Sequence, residues 1–246
     1  MRTNKNGKKL EGTTFELELI KGLLSFVPDH MKAVIADHSI DYNDFGTEKE
    51  RKLKTILHFF SSIYSVLSDL STTIMFLKKD RTLILEHYPN FEKQEEYYTY
   101  HFENYYIRLI TLTDIVGKLG VLVYALDIVI ERSNAYNFKE KARKEGFENI
   151  AVITEKLIEK VDELKKERHK KLHTGVADIE TLNGMVIWSD INKLIGEQKT
   201  DEILEEHTDI KIKKEIEGIE TRIAETVSVI KEFLEEATIK LKENIE

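Results

Sequence analysis

One apolar seam fixes most of what this chain can fold into. Tyr98, Phe102, Tyr105, Leu109, Leu112, Val116, Leu119, Val123, Leu126 and Ile130 recur at alternating spacings of four and three. A repeat averaging about 3.5 residues keeps every member on one stripe of an α-helix, whereas on a strand the members would scatter over both faces. A stripe this long has to be buried against other helices. The spacing therefore predicts a helix from about Phe91 to Ile130, packed closely in a bundle.

Three further runs supply its neighbours. Leu53, Ile56, Phe60, Ile63, Leu67, Leu70, Ile74 and Leu77 repeat at three and four, after a capping-box pair at Thr47 and Glu50. A helix is predicted over 147–173. A last one, over about 200–245, carries Ile212, Ile216, Ile219, Ile223, Val227, Ile230, Phe233, Ala237 and Leu241. The only prolines, Pro28 and Pro89, fall between periodic segments. Thr13 or Thr14 can cap a short helix that ends before Pro28, and Met31 to Ile40 form a second short piece. Gly117 and Gly120 would allow a close helix crossing or a slight bend. Residues 131–146 read as a connection, and 176–199 break periodicity. The expected fold class is all-α: an antiparallel four-to-five-helix bundle with short N-terminal helices. It would form one domain over 13–246, with its core bundle at about 48–245, after a flexible basic tail over 1–12.

Composition narrows the function. The formal charge of −8 gives no global signature of nucleic-acid binding, although a local basic patch can still hold phosphates. The absence of cysteine excludes disulfides, thiolate zinc sites and cysteine nucleophiles, and it fits a reducing cytoplasm. No apolar run reaches the roughly 18 residues of a membrane span, so no membrane partner is expected.

The residue that breaks the pattern is Arg168. With Val161 as zero and about 100° per residue, Thr154, Leu157, Leu164 and Leu172 fall within about 60° of one line, and Arg168 falls among them. A permanent charge on an apolar stripe needs a carboxylate partner or a solvated cleft. Asp114 and Glu103 are candidate carboxylates. His169 and His173 stand at the edge of the same face. Lys165, Lys166, Lys170 and Lys171 form a basic cluster around them. Each has a plain structural role available: His173 as a helix C-terminal cap, the lysines as a solvated face. On the long seam's helix, His101, Asn104 and Arg108 share a second, polar face. They could position substrate, or they could be a structural hydrogen-bond network. His169 and His173 could bind a metal from one face, but no third ligand is indicated, and no metal or other cofactor is expected.

Arg168-x4-His173, with His169 directly after the arginine and near the end of a late helix, resembles the R-x4–6-H motif of the HEPN superfamily. The block His101-Phe102-Glu103-Asn104-Tyr105-Tyr106-Ile107-Arg108 is similar to the polar helix of several bacterial HEPN subfamilies. The resemblance covers roughly residues 50–245. It implies a metal-independent endoribonuclease, a toxin or antiviral defence effector held in check by an antitoxin or regulatory protein. Arg168, His173 and His169 would be catalytic. Lys165, Lys166, Lys170, Lys171, His101, Asn104 and Arg108 would bind the RNA substrate. On one ideal helix, positions 168 and 173 lie about 140° and about 7.5 Å apart. A homodimer would bring two motif helices around one composite site. The alternative is a catalytically silent HEPN bundle that dimerises or binds protein or RNA. A third is an unrelated helical adaptor.

Overall fold

A computed structural model describes residues 10, 12–79, 81–88, 91–174, 187, 191 and 199–245; the side chains of 81, 82, 85, 91, 163–174, 199–205, 207 and 208 are outside that description. Every regular element among the described residues is helical. The order is α1 (Thr14–Leu24), α2 (Val27–Ala36), α3 (Glu48–Leu77), α4 (Arg81–His87), α5 (Phe91–Val123), a 3-10 turn (Ile130–Arg132), α6 (Ala135–Lys144), α7 (Glu148–Thr174) and α8 (Lys199–Ile245).

Local chemistry sets the starts of these helices. Thr13 caps α1, its side chain accepting from the Glu16 N–H. Pro28 lies in the first turn of α2, where a missing N–H costs nothing. At α3 the expected reciprocal pair is present. The Thr47 N–H donates to Glu50 Oε2 at 2.7 Å, and the Glu50 N–H donates to Thr47 Oγ1 at 3.3 Å.

The second short piece, expected over Met31 to Ile40, starts earlier, at Val27, because Pro28 fits its first turn. Two further boundaries differ from the sequence reading. The long seam predicted helix to Ile130, but α5 stops at Val123. Ala125 has φ 51°, the Leu126 N–H donates to the Val121 carbonyl, and the Ala125 N–H donates to the Leu122 carbonyl. This is the Schellman pattern, with alanine where glycine is usual. Leu126 is still buried, because the reversed chain folds it back onto the core. Periodicity thus marked its burial correctly but not its backbone state. The second difference is α6, a helix within residues 131–146, where the sequence predicts a connection. Asn134 accepts from the Tyr136 and Asn137 N–H groups, and the Asn137 side chain accepts from the Asn134 N–H. Only Ala135, Phe138 and Ala142 of its ten residues are buried, so the apolar signal is short.

The chain clusters into two units: 1–68 with 110–161 and 226–246, and 69–109 with 162–225. In the first, α7 and α8 run antiparallel. Lys240 lies over the Phe147 ring at 5.4 Å, and Lys156 pairs with Glu232 at 2.7 Å. Phe138 meets Phe233 edge-on at 6.0 Å, with Leu157, Val161, Ile230 and Leu234 buried. Asn244 ties three helix ends together, accepting from Lys52 Nζ at 2.9 Å and donating to the Val123 carbonyl at 2.8 Å. In the second unit, α3 and α5 are antiparallel. The Tyr97 hydroxyl donates to the Phe76 carbonyl at 2.6 Å, and Arg108 pairs with Asp69 at 2.8 Å. The seam residues Tyr98, Phe102, Tyr105 and Leu109 are all buried there.

One correction concerns membrane length. By length and composition alone, α3 is apolar enough to cross a bilayer. Its apolar residues nevertheless read as a core stripe, since Leu53, Ile56, Phe60, Ile63, Leu67, Leu70 and Leu77 are buried within the protein.

Candidate functional site

The site built on α7 begins in its buried stripe. Thr154, Leu157 and Val161 are all at most 1% exposed, and the Thr154 hydroxyl donates back to the Ile150 carbonyl at 2.7 Å. The stripe proposed from the sequence is therefore real over the first half of the helix. Backbone helix continues without a break to Thr174. Arg168, His169 and His173 stand in that second half, as do Lys165, Lys166, Lys170 and Lys171. Their side chains lie outside the described residues, and so does Gly175. An unbroken helix keeps positions 168 and 173 about 140° apart, so the backbone of one chain does not bring them to a common side.

The polar face of α5 is described in full, and its three residues do not form one network. His101 is 8% exposed, and its ring is held by aromatics. It stacks on Phe76 with centroids 5.0 Å apart and planes at 11°, and it meets Tyr97 at 4.6 Å and Tyr100 at 5.1 Å edge-on. Asn104 turns back on its own helix, donating to the Tyr100 carbonyl at 3.0 Å. Arg108 is taken by Asp69, both side chains about two-fifths exposed, a pairing worth at most about 1 kcal/mol. The sequence showed the shared face. It did not show that each residue would find a different partner, because Phe76 and Asp69 belong to another helix.

A groove of about 410 Å³ in the same unit was not anticipated. Tyr98, Ile212 and Ile216 line it and are buried side chains. Its remaining lining mixes lysines with Asp209 and Glu217, which leaves it without a strong preference for either sign of charge. Among the described residues no group of three candidate ligands could hold a metal ion.

The family model described as HEPN_Cthe2314-like HEPN matches residues 48–244. The chain belongs to this HEPN family. No curated protein and no solved structure matches it. The HEPN match runs from the first residue of α3 into the last turn of α8, and it leaves α1 and α2 outside. It agrees with the all-helical architecture, since a HEPN domain is a helical bundle.

Within this HEPN bundle His101 is a buried imidazole, and burial pushes its pKa below the ordinary histidine value. The unfolded chain binds a proton there near pH 6.5, while the folded chain holds the ring neutral to lower pH. Below that pH the unfolded state takes up more protons. The stabilisation is therefore complete above about pH 6.5 and is lost as pH falls through the window beneath it. Urea unfolding at pH 8 and pH 5 is expected to show a drop in stability for the wild type. The drop should shrink in His101→Phe, which keeps the stack on Phe76 but cannot take a proton. An equal drop in both proteins would mean that other groups cause it.

Proposed function

We propose that this HEPN protein is a metal-independent endoribonuclease that works as a homodimer. The reading rests on one observation: an Arg-x4-His pair, Arg168 and His173, near the end of α7 in a chain of the HEPN family. RNA carries its own nucleophile, the 2′-hydroxyl. His173 takes the 2′-OH proton or protonates the departing 5′-oxygen, as an imidazole titrating near neutrality can do in either direction. The 2′-oxygen bonds to phosphorus, the P–O5′ bond breaks, and the products are a 2′,3′-cyclic phosphate and a 5′-OH end. Arg168 holds the scissile phosphate and balances the charge that builds on its oxygens.

The 140° between the two positions gives the second subunit its role. Two α7 helices related by a twofold axis would set the arginine of one beside the histidine of the other. His169 orients Arg168 or touches RNA. Lys165, Lys166, Lys170 and Lys171 hold flanking phosphates, which an acidic chain needs locally if it is to bind RNA. Asn104 and Arg108 offer polar contacts to substrate from α5, with Arg108 steadied by Asp69, and the buried His101 acts only by positioning its aromatic neighbours. The biological setting we propose is a cytoplasmic toxin or defence effector, restrained by an antitoxin or regulatory protein.

The test is cleavage of a defined single-stranded RNA by the wild type in EDTA. Fragments ending in 2′,3′-cyclic phosphate are expected. Strict dependence on an added divalent ion, or 5′-phosphate products, would refute the chemistry. No cleavage of any RNA would favour a HEPN bundle that only binds.

A further inference from the structure

Helix α7 starts without a side-chain cap, over a cavity that also holds a buried hydroxyl. Its first intrahelical bond runs from the Ala151 N–H to the Phe147 carbonyl at 3.2 Å. The N–H groups of Glu148, Asn149 and Ile150 lie ahead of that bond. A helix start normally meets such groups with a Ser, Thr, Asp or Asn side chain. Here the capping position is Phe147, which has no acceptor to offer. Among the described residues, no side chain accepts from the three N–H groups. The same three residues line a cavity of about 220 Å³ together with Tyr124, Phe147 and Glu236.

Tyr124 is only 8% exposed, its ring packed against Phe138 at 6.1 Å and Phe147 at 4.9 Å. Its hydroxyl has no hydrogen-bond partner among the described residues. Burial first, and then the field of Glu236, push its pKa well above the ordinary tyrosine value. The hydroxyl therefore stays neutral and keeps a proton to donate. That Glu236 is felt there places the hydroxyl end on the cavity side of the ring. A buried donor without an acceptor is rare in a native fold and points to a group that meets it. The neighbouring charges are committed elsewhere: Glu148 to Arg143 at 3.1 Å, and Lys240 to Glu243 at 2.6 Å. Glu236 forms no ion pair among the described residues.

The cavity thus offers four donors without an acceptor, backed by the positive end of the α7 dipole, and one carboxylate without a donor. A simple anion would answer the donors and be repelled by Glu236. A simple cation would answer Glu236 and leave the donors unmet. A zwitterion satisfies both, and a volume below the roughly 300 Å³ of drug-sized pockets requires a small one. We propose that this cavity binds a small α-amino acid, its carboxylate on the α7 N–H groups and the Tyr124 hydroxyl and its ammonium on Glu236. The inference does not depend on nuclease activity.

The test titrates the full isotope-labelled chain with glycine, alanine, acetate, methylamine and inorganic phosphate, and follows the backbone amide signals by NMR. Glycine or alanine should move the amides of Glu148, Asn149 and Ile150 saturably. Acetate, methylamine and phosphate should bind at least about tenfold more weakly, since each leaves one side of the cavity unpaired. Tyr124→Phe and Glu236→Gln should each weaken amino-acid binding at least about tenfold, as loss of a bond to a charged group does. The ligand-free thermal midpoint of Tyr124→Phe should not fall, because the ring is kept and only an unpaired hydroxyl is deleted. Absence of a saturable shift with either amino acid would mean that the cavity holds water only, and overturns the inference. So does acetate or phosphate binding as tightly as glycine, which would make this a plain anion site. Amino-acid affinity unchanged in both Tyr124→Phe and Glu236→Gln overturns it as well.

Discussion

Arg168→Ala is expected to lower RNA cleavage about 10²- to 10³-fold while leaving the fold intact. A guanidinium bound to the scissile phosphate acts most strongly on the charge that develops in the transition state, and removing one such group costs about 2.7–4 kcal/mol. The loss should therefore appear mainly in kcat. The substitution also removes a charge from a helix stripe whose earlier members, Thr154, Leu157 and Val161, are buried. Alanine is the best helix former, so α7 should tolerate it. Thermal unfolding should show stability unchanged or slightly raised, which separates lost chemistry from lost structure. A composite site adds a second outcome. Mixing an Arg168→Ala protein with a His173→Ala protein would let the composite site of a heterodimer keep one intact arginine and one intact histidine. Partial return of activity on mixing is expected, and its absence would count against sharing across the dimer. Cleavage at wild-type rate by Arg168→Ala would end the site assignment outright.

Gly117→Ala is expected to destabilise the protein by about 2–3 kcal/mol, the upper part of the range for forcing an extra methyl into packed structure. A Cβ at this position would lie 2.3 Å from the Ala135 nitrogen, 2.4 Å from the Asn134 carbonyl carbon and 2.7 Å from the Ala135 Cα. All three are backbone atoms, at the start of α6, and none can rotate away. At Gly120 the obstacle is the Phe138 ring, 2.5–2.8 Å away, which can tilt, so the same change there should cost less. Gly218 is the control. It sits inside α8 with nothing within 4 Å of its added Cβ, so Gly218→Ala should stabilise by up to about 1 kcal/mol. Urea denaturation of the variants checks all three. If Gly117→Ala were as stable as wild type, the close seating of α6 on α5 would be wrong.

The two glycines show how far sequence reading went. Gly117 and Gly120 on an otherwise apolar helix announced a close neighbour. The neighbour itself, α6, was missed. Its ten residues hold only three buried side chains, and its start depends on an Asn134–Asn137 cap that is easily taken for loop chemistry. The candidate site stood out in the sequence for a local reason. Arg168 stood out because it broke a stripe, and the break is detectable only since Thr154, Leu157 and Val161 define the stripe so cleanly. What surrounds His101 and Arg108 was not legible, because no spacing along α5 encodes Phe76 or Asp69 of α3.

The sequence by itself determined the helical state, the burial of every member of the long seam except Ile130, and the Thr47–Glu50 start of α3. These follow from periodicity and capping, which act over a turn or two of helix. Only the tertiary structure decided that α5 ends at Val123 with Ala125 in a left-handed turn, that Asn244 ties α8 to the ends of α3 and α5, and which partners His101 and Arg108 would take on α3. Those outcomes depend on which surfaces meet across long stretches of chain. A backbone reversal at an alanine is unfavourable locally, and it persists because burying Leu126 on the far side of the turn offsets it.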